Sequence, residues 1–566
     1  MPIGRERLLF SLLALLVATI QWWPMLRDPA ATGFGDWQMI HHNWEAALVS
    51  LQRFGEWPLW DPFHCGGVPI LGNPESQLYA PWFWLSFLIG SVLAVKLMLI
   101  GHVVIALTGV YALCRGGYGL RPASAALGAF AWGCSGWFVW DGAGGHATFF
   151  PFVFAPWLSL WVRREREPLR EAAGVGALLV LTLFEGGTYP LPYFVLWLAF
   201  ELGCSAWRAR SPIASLRFAA VSLGAVALCG AVRLVPIYLT LEAHPRAVPN
   251  DDALSLPDVW NMLTARSHAW RVPGHPFVWA EYGSYVGVLV LSLAALGVPA
   301  ALRRGRLQLL LGLGVWSSLM LGNLGPLSPF SLLHHLPVYD SLRVPSRFAV
   351  FVTLYLAVLA AHGCELLLQR TPRPALAPVL GALLAGGVCV DLATASWSAV
   401  HLWNEAPLST APSREQFHLV QRDYYRNYAS YPRLNLGTPI CYVGGMNWPV
   451  SGALWMGPTP QLRVQPASGR VLKWSQTPHS LRAEVELDRP GRLIANQNFA
   501  PGFRSNMGEP VADRGLLALD LPAGKHAIEL RYRPRELAPS AAVSGLGLCG
   551  LGLLVFKRRT RRGPPA

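Results

Sequence analysis

Between residues 27 and 78 the sequence reads RDPAATGFGDWQMIHHNWEAALVSLQRFGEWPLWDPFHCGGVPILGNPESQL, and the residues in it able to do chemistry are acids and histidines. Asp36 follows Gly33 and Gly35 and precedes Trp37, Ile40, Trp44, Leu48 and Leu51. The spacing of those apolar residues predicts an amphipathic helix lying along a membrane face. At the head of that helix Asp36 has two readings. It caps the first turn, or it is a carboxylate kept ionised by the helix dipole and able to accept a proton or orient a hydroxyl. His41 and His42 fall on the polar side of the helix, and Glu75 is the other acid of this stretch that suits the same role. A carboxylate, two histidines and a glycine turn at a membrane surface suggest a reaction site.

Further along, HHLPVYDSLRVPSRF places Arg343 and Arg347 just ahead of an apolar run beginning at Phe348. Their spacing of four suits one helix face, although Pro345 between them breaks a helix. Forked guanidinium donors match phosphate or carboxylate oxygens; the plainer reading makes the pair interfacial anchors. Acids collect in glycine-rich or aromatic settings: Asp141 and His146 in DGAGGHATF, Glu185 in FEGGTYP, and Glu281 with Tyr285 in AEYGSYVG. Glycines there permit close backbone approach to a ligand. The histidine pairs His41-His42 and His334-His335 are adjacent in sequence and so do not share a helix face; no metal site is read from them, and a need for a divalent metal stays undetermined. There is no P-loop, no GxSxG, no HExxH and no zinc-type cysteine cluster.

What must position these residues is a membrane bundle. The chain has 566 residues, 53% hydrophobic and only 14% charged, against roughly 25% charged in soluble proteins. Apolar runs predict twelve spans: Leu8–Met25, Ser91–Leu113, Pro122–Trp140, Ala147–Val162, Ala172–Glu185, Leu191–Cys204, Ile213–Leu239, Tyr285–Ala301, Leu307–Leu321, Phe348–Leu368, Ala375–Thr394 and Ala538–Phe556. The first is read as an uncleaved helix, because Arg27, Asp28 and Pro29 interrupt any cleavage site. The formal charge of +14 reflects topology rather than nucleic acid. With the N-terminus inside, every inner segment is basic: Arg5 and Arg7; Arg115 and Arg121; Arg163, Arg164, Arg166 and Arg170; Arg208, Arg210 and Arg217; Arg303, Arg304 and Arg306; Arg370 and Arg373; and Lys557, Arg558, Arg559, Arg561 and Arg562. Both termini are then cytoplasmic, and the acids above lie at the outer face.

Residues 1–396 therefore read as a helical membrane domain and 538–566 as a last span with a basic tail. Within the first, 27–78 is the first outer loop and 241–283 a second long one. Residues 397–537 hold no spanning run and form an outer domain. Its second half alternates, with Leu481, Ala483, Val485 and Leu487 opposed to Arg482, Glu484 and Glu486, and again at Ile528, Leu530 and Tyr532, which predicts an antiparallel β-sandwich. Cysteines are scattered without a CxxC pair; Cys65 and Cys441 both fall outside the membrane, leaving a pairing of the two open.

Six segments together carry a family resemblance. They are GDWQMIHHNW…WPLWDPFHCGGVPILGNPESQLYAP, GGHATFFPFVFAPWL, LVPIYLTLEAHPR, EYGSYVGVLVL, LPVYDSLRVPSRF and NFAPGFRSNMGEP…LPAGKHAIELRYRP. In this order they resemble the YfhO-like bacterial membrane proteins, within the GT-C class of membrane glycosyltransferases. Pro245 and Phe503 depart from the serine and tryptophan common in that family. The resemblance implies a GT-C-like bundle in the bacterial cytoplasmic (inner) membrane. It implies a lipid-linked sugar donor of the polyprenyl-phosphate type and a glycan, lipid or protein acceptor. Asp36 would be the acid near the acceptor, with Glu75 as its alternate, and Arg343 and Arg347 would face the phosphate. His41, His42, Glu75, Asp141, His146, Glu185, Glu281 and Tyr285 would bind substrate. Two other readings stand beside it: a transporter, for which Asp391 is the main mid-span acid, and a non-catalytic scaffold of envelope assembly.

Overall fold

A computed structural model of the chain describes residues 3–33, 35–164, 168–246, 248, 251–267, 270–400, 408, 413, 416–421, 428–441, 446–466 and 469–556. Arg166 and the basic tail from Lys557 lie outside the described residues. The architecture is mostly helical, with a C-terminal β-sheet region followed by one more helix. Among the described residues, six helices are long and apolar enough to cross a membrane: Ser91–Gly117, Pro212–Cys229, Trp279–Arg303, Pro345–Arg370, Pro374–Val400 and Leu537–Val555. Leu216, Leu383 and Leu546 are exposed on them, as expected of helices whose outer faces meet lipid rather than water.

Each predicted span falls largely on helical structure, but three are broken, the first, Leu8–Met25, at Trp22 between Ile3–Gln21 and Trp23–Leu26. The segment predicted as Pro122–Trp140 divides into helices Pro122–Gly133 and Gly136–Gly144. At the break the Gly136 N–H donates to the Tyr285 carbonyl, 2.8 Å away. A Cβ on Gly136 would lie 2.5 Å from the Tyr285 nitrogen, so only glycine permits this approach. The segment predicted as Ile213–Leu239 divides at Gly230 into Pro212–Cys229 and Ala231–Ala243. Gly287–Arg303 and Ala349–Arg370 pack most closely, through facing Gly297 and Gly363: a Cβ on either would stand 1.9 Å from a carbonyl oxygen of the other helix.

One end of the bundle gathers the basic segments. Arg115 pairs with Glu6, Arg163 with Glu201 and Arg121 with Glu365, while Arg163 and Arg306 both lie over the Tyr118 ring. The chain leaves this end at Arg121 and reaches Asp141 two short helices later.

The first long loop is welded to the C-terminal region. Two four-stranded antiparallel sheets there run Val511–Asp513, Leu516–Leu521, Gly491–Asn498, Leu462–Gln465 and Arg470–Gln476, Ser480–Leu487, Gly524–Tyr532, Phe503–Ser505. Leu481 pairs with Leu530, Ala483 with Ile528 and Val485 with His526, which turns the alternating apolar residues onto one shared core. Trp60, from the first loop, is fully buried in that same core, its ring 4.9 Å from Phe503 and 4.8 Å from Tyr532. Cys65 and Cys441 form a disulfide across a separation of 376 residues, and Asn498 donates to the Cys65 carbonyl at 2.6 Å.

Candidate active site

The expected helix behind Asp36 is present as Trp37–Phe54, but it does not lie free on a surface: most of its residues are buried, including both histidines. Asp36 stands at its N-cap position and makes no side-chain capping hydrogen bond. The helix start is held instead by backbone. The Asp36 N–H donates to the Gly144 carbonyl at 3.1 Å, and the Trp37 indole donates to the Gly142 carbonyl at 2.7 Å. Gly145, at φ 91°, passes so close that a Cβ there would meet the Trp37 nitrogen at 2.4 Å. The Gly-Gly-His turn is thereby pressed against Asp36, and its histidine arrives beside the carboxylate.

His146 Nδ1 donates to Asp141 Oδ1 at 2.8 Å, and its Nε2 lies 4.0 Å from Asp36 Oδ2. Asp141 is buried, whereas the Asp36 side chain keeps 27% of its exposure. Burial opposes charge on His146, but Glu281, the hydrogen bond to Asp141 and the Asp36 charge outweigh it and raise the imidazole to about 9. Burial pushes Asp141 up to about 6 against the pull of His146. At neutral pH the cluster thus holds an imidazolium oriented by one carboxylate and turned towards another.

Glu281 and Arg347 form a buried, two-pronged ion pair at 2.9 and 2.6 Å. The guanidinium is sandwiched between Phe149 and Tyr189, 4.4 and 4.7 Å from their ring centres. Its remaining Nη1 is buried and has no hydrogen-bond partner among the described residues. Arg246 reaches in as well, bonded to the Tyr189 hydroxyl. Glu75 completes the group. Its Oε2 is buried without a hydrogen-bond partner among the described residues, and burial, then the Asp36 charge, push the carboxyl up to about 7. Arg246, Arg347 and His146 pull the other way without cancelling the rise. The backbone beneath Glu75 is held by Arg233, which donates to the carbonyls of Leu71, Asn73, Pro74 and Ser76 at 2.7–3.1 Å.

Asp36, Glu75, Asp141, His146, Glu281 and Arg347 therefore come together from well-separated stretches of chain. No protein-family model and no curated protein matches this sequence. Among solved structures it is similar to the arabinofuranosyltransferase AftD from Mycobacteria, known from single-particle cryo-EM. Identity is 16% and the TM-score 0.45, over 72% of this chain and 28% of that one.

Five expected residues do not join the cluster. His41 Nε2 is engaged by the Thr32 carbonyl at 2.9 Å, and His42 by Asp61 and the Tyr428 carbonyl; the polar side of their helix faces protein, not a substrate space. Glu185 is bound to His102 at 2.8 Å. Tyr285 donates to Asp391, which Arg266 also engages, so the mid-span acid is already neutralised. Arg343 lies outside the helix, because Pro345 opens a 3-10 turn over Pro345–Phe348; its guanidinium covers Phe277 instead of aligning with Arg347. Sequence reasoning missed Arg246 and Arg233 as site residues. The first ends the LTLEAHPR segment, where its place in that motif was the available signal. The second sits in an apolar run where an unpaired arginine is itself unusual.

Proposed function

We propose that the chain is a membrane glycosyltransferase of the GT-C class. It moves a sugar from a polyprenyl-phosphate carrier to an envelope glycan, lipid or protein acceptor at the outer face of the bacterial cytoplasmic membrane. The observation that carries this reading is one cluster holding a half-buried carboxylate, Asp36, beside a carboxylate-held imidazole and a guanidinium with an unpaired buried edge. Asp36 takes the acceptor hydroxyl proton, with Asp141 and His146 setting its field. Arg347 and Arg246 receive the phosphate as it gains charge. Glu75, whose Oε2 is buried without a hydrogen-bond partner among the described residues, contacts sugar hydroxyls or carries a proton. In this reading the chain crosses the membrane twelve times with both termini inside and residues 397–537 outside.

The test is transfer of radiolabel from polyprenyl-phosphate sugars, pentose and hexose, by membranes containing the wild-type chain or Asp36→Asn. Transfer by the wild type and loss in the variant are expected; an Asp36→Asn protein as active as the wild type sinks the assignment. Alkaline-phosphatase fusions after Ser451 should be active and those after Arg210 silent, and the reverse pattern would remove Asp36 from the outer face.

A further inference from the structure

A second polar cluster lies deeper in the same loop, apart from the one above. It comprises His42 on the Trp37–Phe54 helix, Asp61 on the two-residue strand Trp60–Asp61, and His64 in the turn that returns to Val68–Pro69. All three are buried, at 0%, 3% and 2% exposure. His42 Nδ1 lies 3.1 Å from the Tyr428 carbonyl oxygen. A carbonyl only accepts, so this contact places the hydrogen on Nδ1 and leaves the Nε2 lone pair facing the other way. It faces Asp61 Oδ2 at 3.0 Å, which is also an acceptor when ionised. Two acceptors at that separation need a positive centre between them, either a proton or a metal ion.

His64 decides between the two. A proton is satisfied by two partners, yet a third ligand atom converges here: His42, Asp61 and His64 each offer one, all within 4.8 Å of one another. The outer contacts are those that orient metal ligands. The Tyr428 carbonyl fixes the His42 ring, the Phe63 N–H holds Asp61 Oδ1 at 2.8 Å, and the Tyr428 ring lies 5.2 and 5.7 Å from the two imidazoles. Ligand bonds of about 2.0–2.2 Å around a tetrahedral ion set ligand atoms about 3.4 Å apart, so the site forms if His42 and Asp61, 3.0 Å apart, part slightly and the wider separations, all within 4.8 Å, draw in. Two imidazoles and one carboxylate are a zinc-type donor set. We propose that His42, Asp61 and His64 bind a zinc-type divalent ion that staples the Trp60–Pro69 turn to the Trp37–Phe54 helix. The turn is anchored on its other flank by the Cys65–Cys441 disulfide and by Trp60 in the β-sheet core. An ion on this flank would lock the loop's connection to the C-terminal region.

The full-length protein, purified in detergent without chelator, tests this by elemental analysis. One equivalent of zinc per chain is expected, falling about tenfold or more in His64→Ala and retained in His64→Cys, which keeps a zinc ligand. Cobalt added to chelator-stripped wild type should give the visible ligand-field bands of a tetrahedral site, and these need no variant to fold. Wild-type protein that holds no zinc above the buffer blank after zinc incubation and desalting, and gives no cobalt bands, overturns the proposal in favour of a protonated His42–Asp61 pair. Equal zinc in the wild type and a folded His64→Ala overturns it too, because the ion is then elsewhere.

Discussion

The Trp37–Phe54 helix presents two polar environments less than two turns apart. At its head Asp36 remains partly exposed, makes no side-chain capping bond and is surrounded by charges from five separate stretches of chain, with atoms on Arg347 and Glu75 that have no hydrogen-bond partner among the described residues. On its body His42 is sealed, with both ring nitrogens engaged. Buried polar groups that stabilise a fold are normally satisfied. A cluster left with open valences spends stability on readiness for a ligand, whereas a closed one holds structure. The sequence offered the same residue types in both places; what separates them is completeness of partnering.

That contrast is broken most directly by a matched pair of variants. Asp36→Asn should lower sugar transfer by roughly two to four orders of magnitude, the usual loss for a general base. Its melting temperature should hold, since the side chain makes no capping bond. Asp61→Ala should do the opposite, destabilising by about 1–3 kcal/mol as the buried His42 nitrogen and the Phe63 N–H lose their partner, while the folded fraction keeps its turnover. Thermal unfolding and initial rates measured on both proteins check this, and a stable Asp61→Ala or an active Asp36→Asn erases the distinction.

Arg347 sharpens it, because it belongs to both worlds: two prongs satisfied by Glu281, one edge free. Arg347→Ala should cost about 3–5 kcal/mol by stranding a buried carboxylate. Arg347→Lys should recover much of that stability but little activity, since a point charge does not replace a fork. Chemical denaturation beside transfer assays separates the two; full activity in the lysine variant would leave Arg347 as a structural partner of Glu281 only.

Glu75 supplies a pH signature. Its carboxyl is raised from 4.5 to about 7, so the folded state binds its proton more tightly than the unfolded chain does. The associated stability is present in full below pH 4.5 and is lost as pH rises through 7. The full swing is about 3 kcal/mol at 1.36 kcal/mol per unit. Glu75→Gln should flatten stability across that window and leave the protein more stable than wild type above it. A pH series of melting temperatures that is parallel for the two proteins counts against a protonated, poised Glu75.

Last in size is the disulfide. Cys65→Ser should cost about 2–4 kcal/mol and leave the Asp36 cluster intact, because the bridge secures the His64 side of the loop. An activity loss exceeding the stability loss would show that the two environments are coupled.

Local periodicity alone placed the helices, the alternating strands and Asp36 at a helix head, because helix and strand each repeat a burial pattern over a few residues. The charge pattern also grouped the basic segments, and Arg115, Arg121, Arg163 and Arg306 lie together at one end. Neither revealed that the head of one helix is open and its body closed. The partners of His42 stand 19 and 386 residues away, Cys65 bridges 376 residues, and Glu281 meets Arg347 across 66. Which polar atom finds a partner depends on where distant segments cross and how near their backbones come. At Gly145, Gly136 and Gly297 that approach is settled by the absence of a single Cβ, a feature with no period to read along the chain.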